Sequence, residues 1–172
     1  MFETIFSPLH HKELTENFFS AFDDDWMLIT AGTPGHYNTM TASWGGVGIL
    51  WNRPVATCFI RPHRHTFGFT EESEHFTLSF LELGSNEILD YCGSHSGRDT
   101  DKAAQTGLRP LETPSGSVSF EQARLVLECR KLYADFLKPE NFFDRKVMEF
   151  TYPKNDFHRF YIGEIVGCWG KG

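Results

Sequence analysis

Three short stretches concentrate the side chains able to do chemistry. The first, "NTMTASWGGVGILW" (Asn38 to Trp51), sets Asn and Thr among apolar residues and follows them with Gly45, Gly46 and Gly48. Read as a strand, Asn38 to Trp44 puts Thr39, Thr41 and Ser43 on one face and Asn38, Met40, Ala42 and Trp44 on the other. One face is then a row of hydroxyls, which a half-buried strand would turn to water. The glycines weaken a strand and often mark a bulge or a ligand lying close to the backbone. They lack the G-x-G-x-x-G spacing of a dinucleotide fingerprint, and no helical pattern opens after them.

The second stretch, "RPHRHT" (Arg61 to Thr66), is the densest basic run in an acidic chain. It ends a strand-like segment and precedes a helix whose first residues include Thr66. Free N–H groups at a helix start, together with planar guanidinium forks, suit a phosphate; the competing reading is a solvated surface turn. His63 and His65 are poor metal candidates, because Pro62 disturbs the strand and no Glu or third His follows at metal-site spacing. In the third stretch, "CGSHSGRDTDKAAQTGL" (Cys92 to Leu108), the order G-x-x-S-G differs from the G-x-S-x-G of a hydrolase elbow. Ser96, Gly97 and Asp99 read as a turn feeding a helix, with Asp or Thr as cap and Lys102 one turn inside.

The elements that must position these stretches are mostly strands. Trp26 to Gly32, Tyr37 to Trp44, Pro54 to Pro62 and His75 to Leu81 are short runs rich in β-branched and aromatic residues. Two longer extended runs, Ser119 to Leu137 and His158 to Trp169, bring the count to at least six. Three short helices are expected: "TFGFTEES", "SNEILDYC" stopped by Gly93, and "DTDKAAQTG" stopped by Gly107. Pro110 to Ser117 reads as a loop. Strands outnumber helices, so a closed or partly closed antiparallel barrel fits better than a βαβ sheet.

Composition bounds the answer. At 172 residues, 40% hydrophobic and 23% charged, with 17 Phe, the chain predicts one domain over residues 1–172 with an aromatic-rich core. A net charge of −7 disfavours a general nucleic-acid or membrane-surface role, since such surfaces need a basic face. No basic n-region leads an apolar run at the start, and nowhere does an apolar stretch reach the roughly 20 residues of a membrane span. A cytoplasmic protein is expected. Cys58, Cys92, Cys129 and Cys168 lie far apart with no CxxC, which predicts buried free thiols and no zinc site.

Taken together, "NTMTASWGGVGILWNRPVATCFIRPHRHTFGFTEESEHFTLSF", "CGSHSGRDTDK" and "FHRFYIGEIVG" resemble the flavin reductase-like family with an FMN-binding split barrel, of the flavoredoxin type. The resemblance runs from Trp26 to about Gly167. It implies a mainly β, Greek-key split barrel, a homodimer, and FMN near the dimer interface. It also implies that Asn38, Met40, Thr41, Ala42, Ser43 and Trp44 line the flavin and that Arg61, Arg64 and Thr66 serve the ribityl phosphate. Phe67 is expected nearby, with Ser96, Gly97 and Lys102 closing the pocket. The activity implied is electron transfer from NADH or NADPH through FMN to a second acceptor. A carrier reduced by a protein partner is the alternative, and the sequence does not separate the two. In the first case the small residues Ala42, Ser43, Gly45 and Gly46 would leave one flavin face open.

Overall fold

Alternation along the strands decides the architecture. The computed structural model describes residues 1–172. After a single turn α1 (Phe2–Ile5), strand β1 (Phe6–Leu9) and helix α2 (Phe18–Asp23), strand β2 (Met27–Thr33) points Met27, Ile29 and Ala31 to one side and Leu28 and Thr30 to the other. All five are fully buried, so β2 is covered on both faces. The same holds in β6 (His75–Leu81), where Phe76, Leu78 and Phe80 face one core and Thr77, Ser79 and Leu81 face the opposite side.

The remaining strands are β3 (His36–Ala42), β4 (Gly45–Leu50), β5 (Arg53–Ile60), the short pair β7 (Pro110–Glu112) and β8 (Val118–Phe120), and the long β9 (Ala123–Phe136) and β10 (Arg159–Lys171). Helices α3 (His65–Glu72), α4 (Asn86–Ser94), α5 (Lys102–Thr106) and α6 (Arg145–Thr151) lie between them. The main sheet runs β3-β2-β6-β9-β10-β5-β4, every pair antiparallel. Along one edge of β10, residues Arg159 to Glu164 pair with β5 and residues Cys168 to Lys171 pair with β1. The sheet therefore divides at β10, whose ladder with β9 is irregular between Ile162 and Gly163 and between Ile165 and Gly167. This is a mainly β split barrel.

Two apolar layers result. The inner one joins Met27, Ile29, Met40, Cys58, Ile60, Phe76, Leu78, Leu127 and Tyr161 from six strands, and α2 adds Ala21 and Phe22. Phe22 stands edge-on to Phe80 with ring centroids 5.5 Å apart. Each such buried aromatic or aliphatic side chain contributes about 1.5 to 3 kcal/mol. The outer layer seats Leu89 and Cys92 of α4, Ala103 of α5, Phe120 of β8 and the N-terminal Phe2 and Phe6 against Leu28, Leu81 and Val126. All four cysteines are buried.

Several expectations change on contact with the fold. The hydroxyl face of β3 does not meet water: Thr39 is buried against Thr30 (2.8 Å between hydroxyls), and Thr41 donates to the Leu89 carbonyl of α4. The glycines of "GGVGIL" form no bulge; Gly45 to Leu50 pair in unbroken register with β5. Gly93 does not stop α4, which continues to Ser94, whereas Gly107 does end α5 with φ +72°. The run from Ser119 to Leu137 is two strands, β8 and β9, and the expected loop from Pro110 to Ser117 contains β7 and the turn that pairs it with β8. Helices α1, α2 and α6 and strand β1 carry no signal that the sequence reading detects.

Candidate functional site

Helix α3 packs against β2 and β3, so the "RPHRHT" turn that starts it lies over the end of β3 where Asn38 sits. Arg64 is the N-cap of α3, in extended conformation, with no side-chain cap bond. Its guanidinium reaches inward, and the Nη2 atom is buried without a hydrogen-bond partner. Leaving a buried polar group unpaired costs about 1 to 3 kcal/mol, and more for a charge. Burial lowers the Arg64 pKa, the direction expected for a cation removed from water.

Around Arg64 is a cavity of about 260 Å3 with no apolar residue in its wall. Asn38, Thr66, Ser96, Gly97 and Lys102 share it, so six of the residues singled out from sequence converge here. Asn38 Nδ2 donates to Thr66 Oγ1 (2.7 Å) and fixes strand to helix. The Ser96 to Asp99 turn closes through the Asp99 N–H to the Ser96 carbonyl (3.1 Å) and the Arg98 N–H to Ser96 Oγ (3.2 Å). A side chain at Gly97 would place its Cβ 1.9 Å from Asn38 Oδ1, so only glycine lets the turn approach the strand. Lys102 is the first residue of α5 after the Asp101 cap, not one turn inside it, and is buried. Its Nζ donates to the carbonyls of Thr39 and Cys92 (2.8 Å each). Burial pulls its pKa down to about 8, partly opposed by Cys92 and assisted by the neighbouring Arg64 charge.

Arg64 also borders a second cavity, of about 220 Å3 and different chemistry. Met40, Thr41, Ala42, Ser43 and Trp44 form one wall, and Phe59, Arg61 and His158 face them. Here the two arginines of the basic run part company. Arg61 forms an ion pair with Asp156, donates to the Thr151 carbonyl (3.1 Å) and lies over the Tyr152 ring (5.2 Å). Its charge is thus taken up locally, outside the polar cavity. His158 is buried, with Nδ1 2.8 Å from the Tyr152 hydroxyl and its ring 5.0 Å from that of Trp44. Burial, with Arg61 assisting, pulls its pKa down to about 4, so it is neutral near pH 7.

Two groups of expected residues lie elsewhere. Phe67 borders neither cavity; it packs on the inner core and toward Phe136 (centroids 6.5 Å). Gly45 and Gly46 also line neither: Gly45 lies beneath Phe22, and Gly46 faces open space. Sequence reasoning missed Phe59 and His158 as wall residues, and it left His63, His65 and Arg98 outside the site although all three border the polar cavity. The density of charged and imidazole side chains in "RPHRHT" was the available signal for the histidines. His158 had only its aromatic flanks.

No helix is long and apolar enough to cross a membrane. None of the curated proteins matches this chain significantly. Solved structures do. An FMN-binding protein from Thermus thermophilus with bound 1-cyclohex-2-enone is 22% identical, with TM-score 0.66, covering 95% of this chain and 79% of that one. An FMN-binding domain of a flavin reductases-like enzyme from Shewanella baltica is 17% identical, with TM-score 0.68 over 96% and 77%. Flavoredoxin from Methanosarcina acetivorans is 22% identical, with TM-score 0.66 over 86% and 68%. At these identities the likeness establishes the shared fold. Residues 19–172 also match the model of the flavin reductase like domain, and with nearly the whole sheet inside that match, the chain belongs to the flavin reductase-like family.

Proposed function

We propose that the protein is a flavoprotein of the flavin reductase and flavoredoxin type, holding FMN without a covalent bond and passing electrons from NADH or NADPH to a downstream acceptor. The observation that carries this reading is the buried, unpartnered Nη2 of Arg64 at the junction of two cavities. One is wholly polar and the other is walled by Met40, Trp44 and Phe59. A ligand with a phosphate at one end and a flat, polar-edged ring at the other matches that pairing, and a phosphate oxygen would satisfy the orphaned guanidinium. The structural neighbours named above include FMN-binding proteins, which favours FMN over other phosphate esters.

In this reading Arg64, Thr66, Ser96, Gly97, Lys102 and Asn38 hold the phosphate. Backbone and side-chain groups from Met40 to Trp44 meet the ring, with Phe59 excluding water from one side. Arg61, fixed by Asp156 and Thr151, positions the 151–158 segment over the cavity, and neutral His158 offers a ring N–H when the Tyr152 hydroxyl donates to Nδ1. When bound, FMN supplies the redox chemistry itself, which is why no acid, base or nucleophile of the protein is assigned a covalent role.

A carrier role, with a redox protein as donor and no nicotinamide site, is favoured by one feature. Phe143 and Phe150 are almost fully exposed, and Val147 between them is half exposed, on the segment whose Thr151 and Tyr152 hold Arg61 and His158 in the wall of the second cavity. Anaerobic mixing of the FMN-loaded protein with NADH or NADPH separates the readings. Loss of the flavin visible absorption on mixing is expected. A protein that ignores both nucleotides yet is reduced by dithionite or a reduced ferredoxin is a carrier.

A further inference from the structure

Between the end of β3 and helix α4 lies a groove of about 390 Å3, inside the span of about 300 to 1,000 Å3 typical of small-molecule sites. Thr41, Ala42 and Ser43 wall both this groove and the second cavity, and Gly93 and Ser94 wall both the groove and the polar cavity. A guest in the groove therefore shares the Thr41 to Ser43 wall with a ring in the second cavity.

The remaining walls suit a flat, uncharged guest. Trp26 leads into β2 with φ +61°, a left-handed conformation that is an outlier for so bulky a residue and is strained. Its indole N–H is held by the Asp23 carbonyl (3.1 Å), and the ring, only partly buried, packs on the outer apolar layer and lines the groove beside Leu89. An aromatic side chain is thus kept in one pose at this wall, at a cost to the backbone. Among the hydroxyls, Thr41 donates to the Leu89 carbonyl and Ser94 to the Asp90 carbonyl (2.7 Å), which leaves Ser43 to donate to a guest. The one ionisable side chain in the wall is that of Asp90, exposed on α4. A carboxylate with no cation in the same wall opposes phosphates, sulfonates and other anions and admits uncharged rings.

We propose that this groove seats the electron acceptor, an uncharged quinone, with its ring against Trp26 and a carbonyl oxygen on the Ser43 hydroxyl. In net, the quinone takes two electrons and two protons from reduced FMN and leaves as the hydroquinone, with FMN returned to its oxidised form. Electron transfer does not need the roughly 3 to 3.5 Å contact of hydride transfer, so a site on the far side of a shared wall suffices. The flavin face that a nicotinamide would use stays free. The role of the groove rests on the flavin reading, whereas its affinity for a quinone does not.

Calorimetric titration of the oxidised protein with duroquinone, whose ring has no free position for a thiol to attack, and with the anion anthraquinone-2-sulfonate tests the site. Duroquinone is expected to bind, and Trp26→Gly, which keeps the left-handed backbone, should weaken it about tenfold, the scale of one lost aromatic pair. Asp90→Lys, at an exposed position where folding is not at risk, should strengthen the sulfonate about tenfold and leave duroquinone unchanged; this arm decides if Trp26→Gly does not fold. Anaerobic mixing of duroquinone with the reduced, FMN-loaded protein should then show flavin reoxidation that saturates at the calorimetric Kd, with Trp26→Gly raising the half-saturation concentration and not the limiting rate. No duroquinone binding, or a sulfonate affinity that ignores Asp90→Lys, would overturn the site. Reoxidation without saturation would overturn the acceptor role and leave the FMN reading intact. A protein that binds duroquinone but no FMN would overturn the flavin reading, and the acceptor role with it.

Discussion

Replacing Arg64 with alanine removes a guanidinium nitrogen, Nη2, that the folded chain leaves buried and unpaired at the border of both cavities. If a phosphate is its partner, losing one charge-assisted contact weakens FMN by about 1.5 to 3 kcal/mol, roughly tenfold to 150-fold. Riboflavin, which lacks the phosphate, should bind the variant as it binds the wild type, and parallel titrations check this. Lys102 makes a pH-dependent version of the same test. Its pKa of about 8 means that it is charged at neutral pH and loses its proton as pH rises through that value. FMN affinity is therefore expected to fall above about pH 8, riboflavin affinity to stay flat, and Lys102→Met to remove the slope. The chemistry of both residues was legible in the sequence, since each sits in a short polar motif. The division of labour between Arg61 and Arg64 was not, because Asp156, which claims Arg61, lies in a distant segment brought in only by β10. The same holds for His158, whose neutral state depends on burial between Tyr152, Trp44 and Arg61.

At the scale of elements, glycine explains where the reading succeeded and where it failed. His75 to Leu81 was legible residue for residue because alternating large side chains leave a period of two. In β4 the residues that should alternate are glycines, so no pattern exists to read, and their proximity to the flavin motif suggested a ligand instead. The structure gives Gly45 a packing reason: a Cβ there would lie 2.6 Å from Phe22 Cε1 and 2.8 Å from the Thr57 carbonyl oxygen. Gly45→Ala is expected to destabilise the fold by about 1 to 3 kcal/mol, as overpacking does. Gly46→Ala meets nothing within 4 Å and should be neutral or stabilise by up to about 1 kcal/mol through the unfolded chain. Urea unfolding of the two variants side by side measures the difference; equal effects would mean that Phe22 does not hold β4 in place. The break between β8 and β9 was hidden for a different reason, since Glu121 and Gln122 are not turn-forming residues, and the bend is imposed by the Arg109 carbonyl and Gly107 carbonyl that receive their donors.

Across the whole molecule, large apolar side chains remain in contact with solvent along β4 and its turn (Ile49, Trp51) and around α6 (Phe143, Phe150), with Trp44 exposed at the rim of the second cavity. Covering such surface is a common reason to associate, and a homodimer is the expected assembly: light scattering should give about twice the 19.7 kDa chain mass. A monomer that binds FMN tightly would show that the pocket is complete within one chain. The barrel class was legible from strand-rich patterning, whereas the division of the sheet at β10 was not, because pairing one strand edge with both β5 and β1 is a property of register over the whole chain. The central claim remains that a flavin phosphate occupies the polar cavity at Arg64 and its ring the neighbouring one. Equilibrium dialysis of the purified protein against FMN and against riboflavin tests it most directly. The account predicts a yellow protein with about one FMN per chain and markedly weaker riboflavin binding. Equal affinity for the two would contradict the phosphate assignment, and no flavin retained at high micromolar FMN would contradict the flavoprotein reading itself.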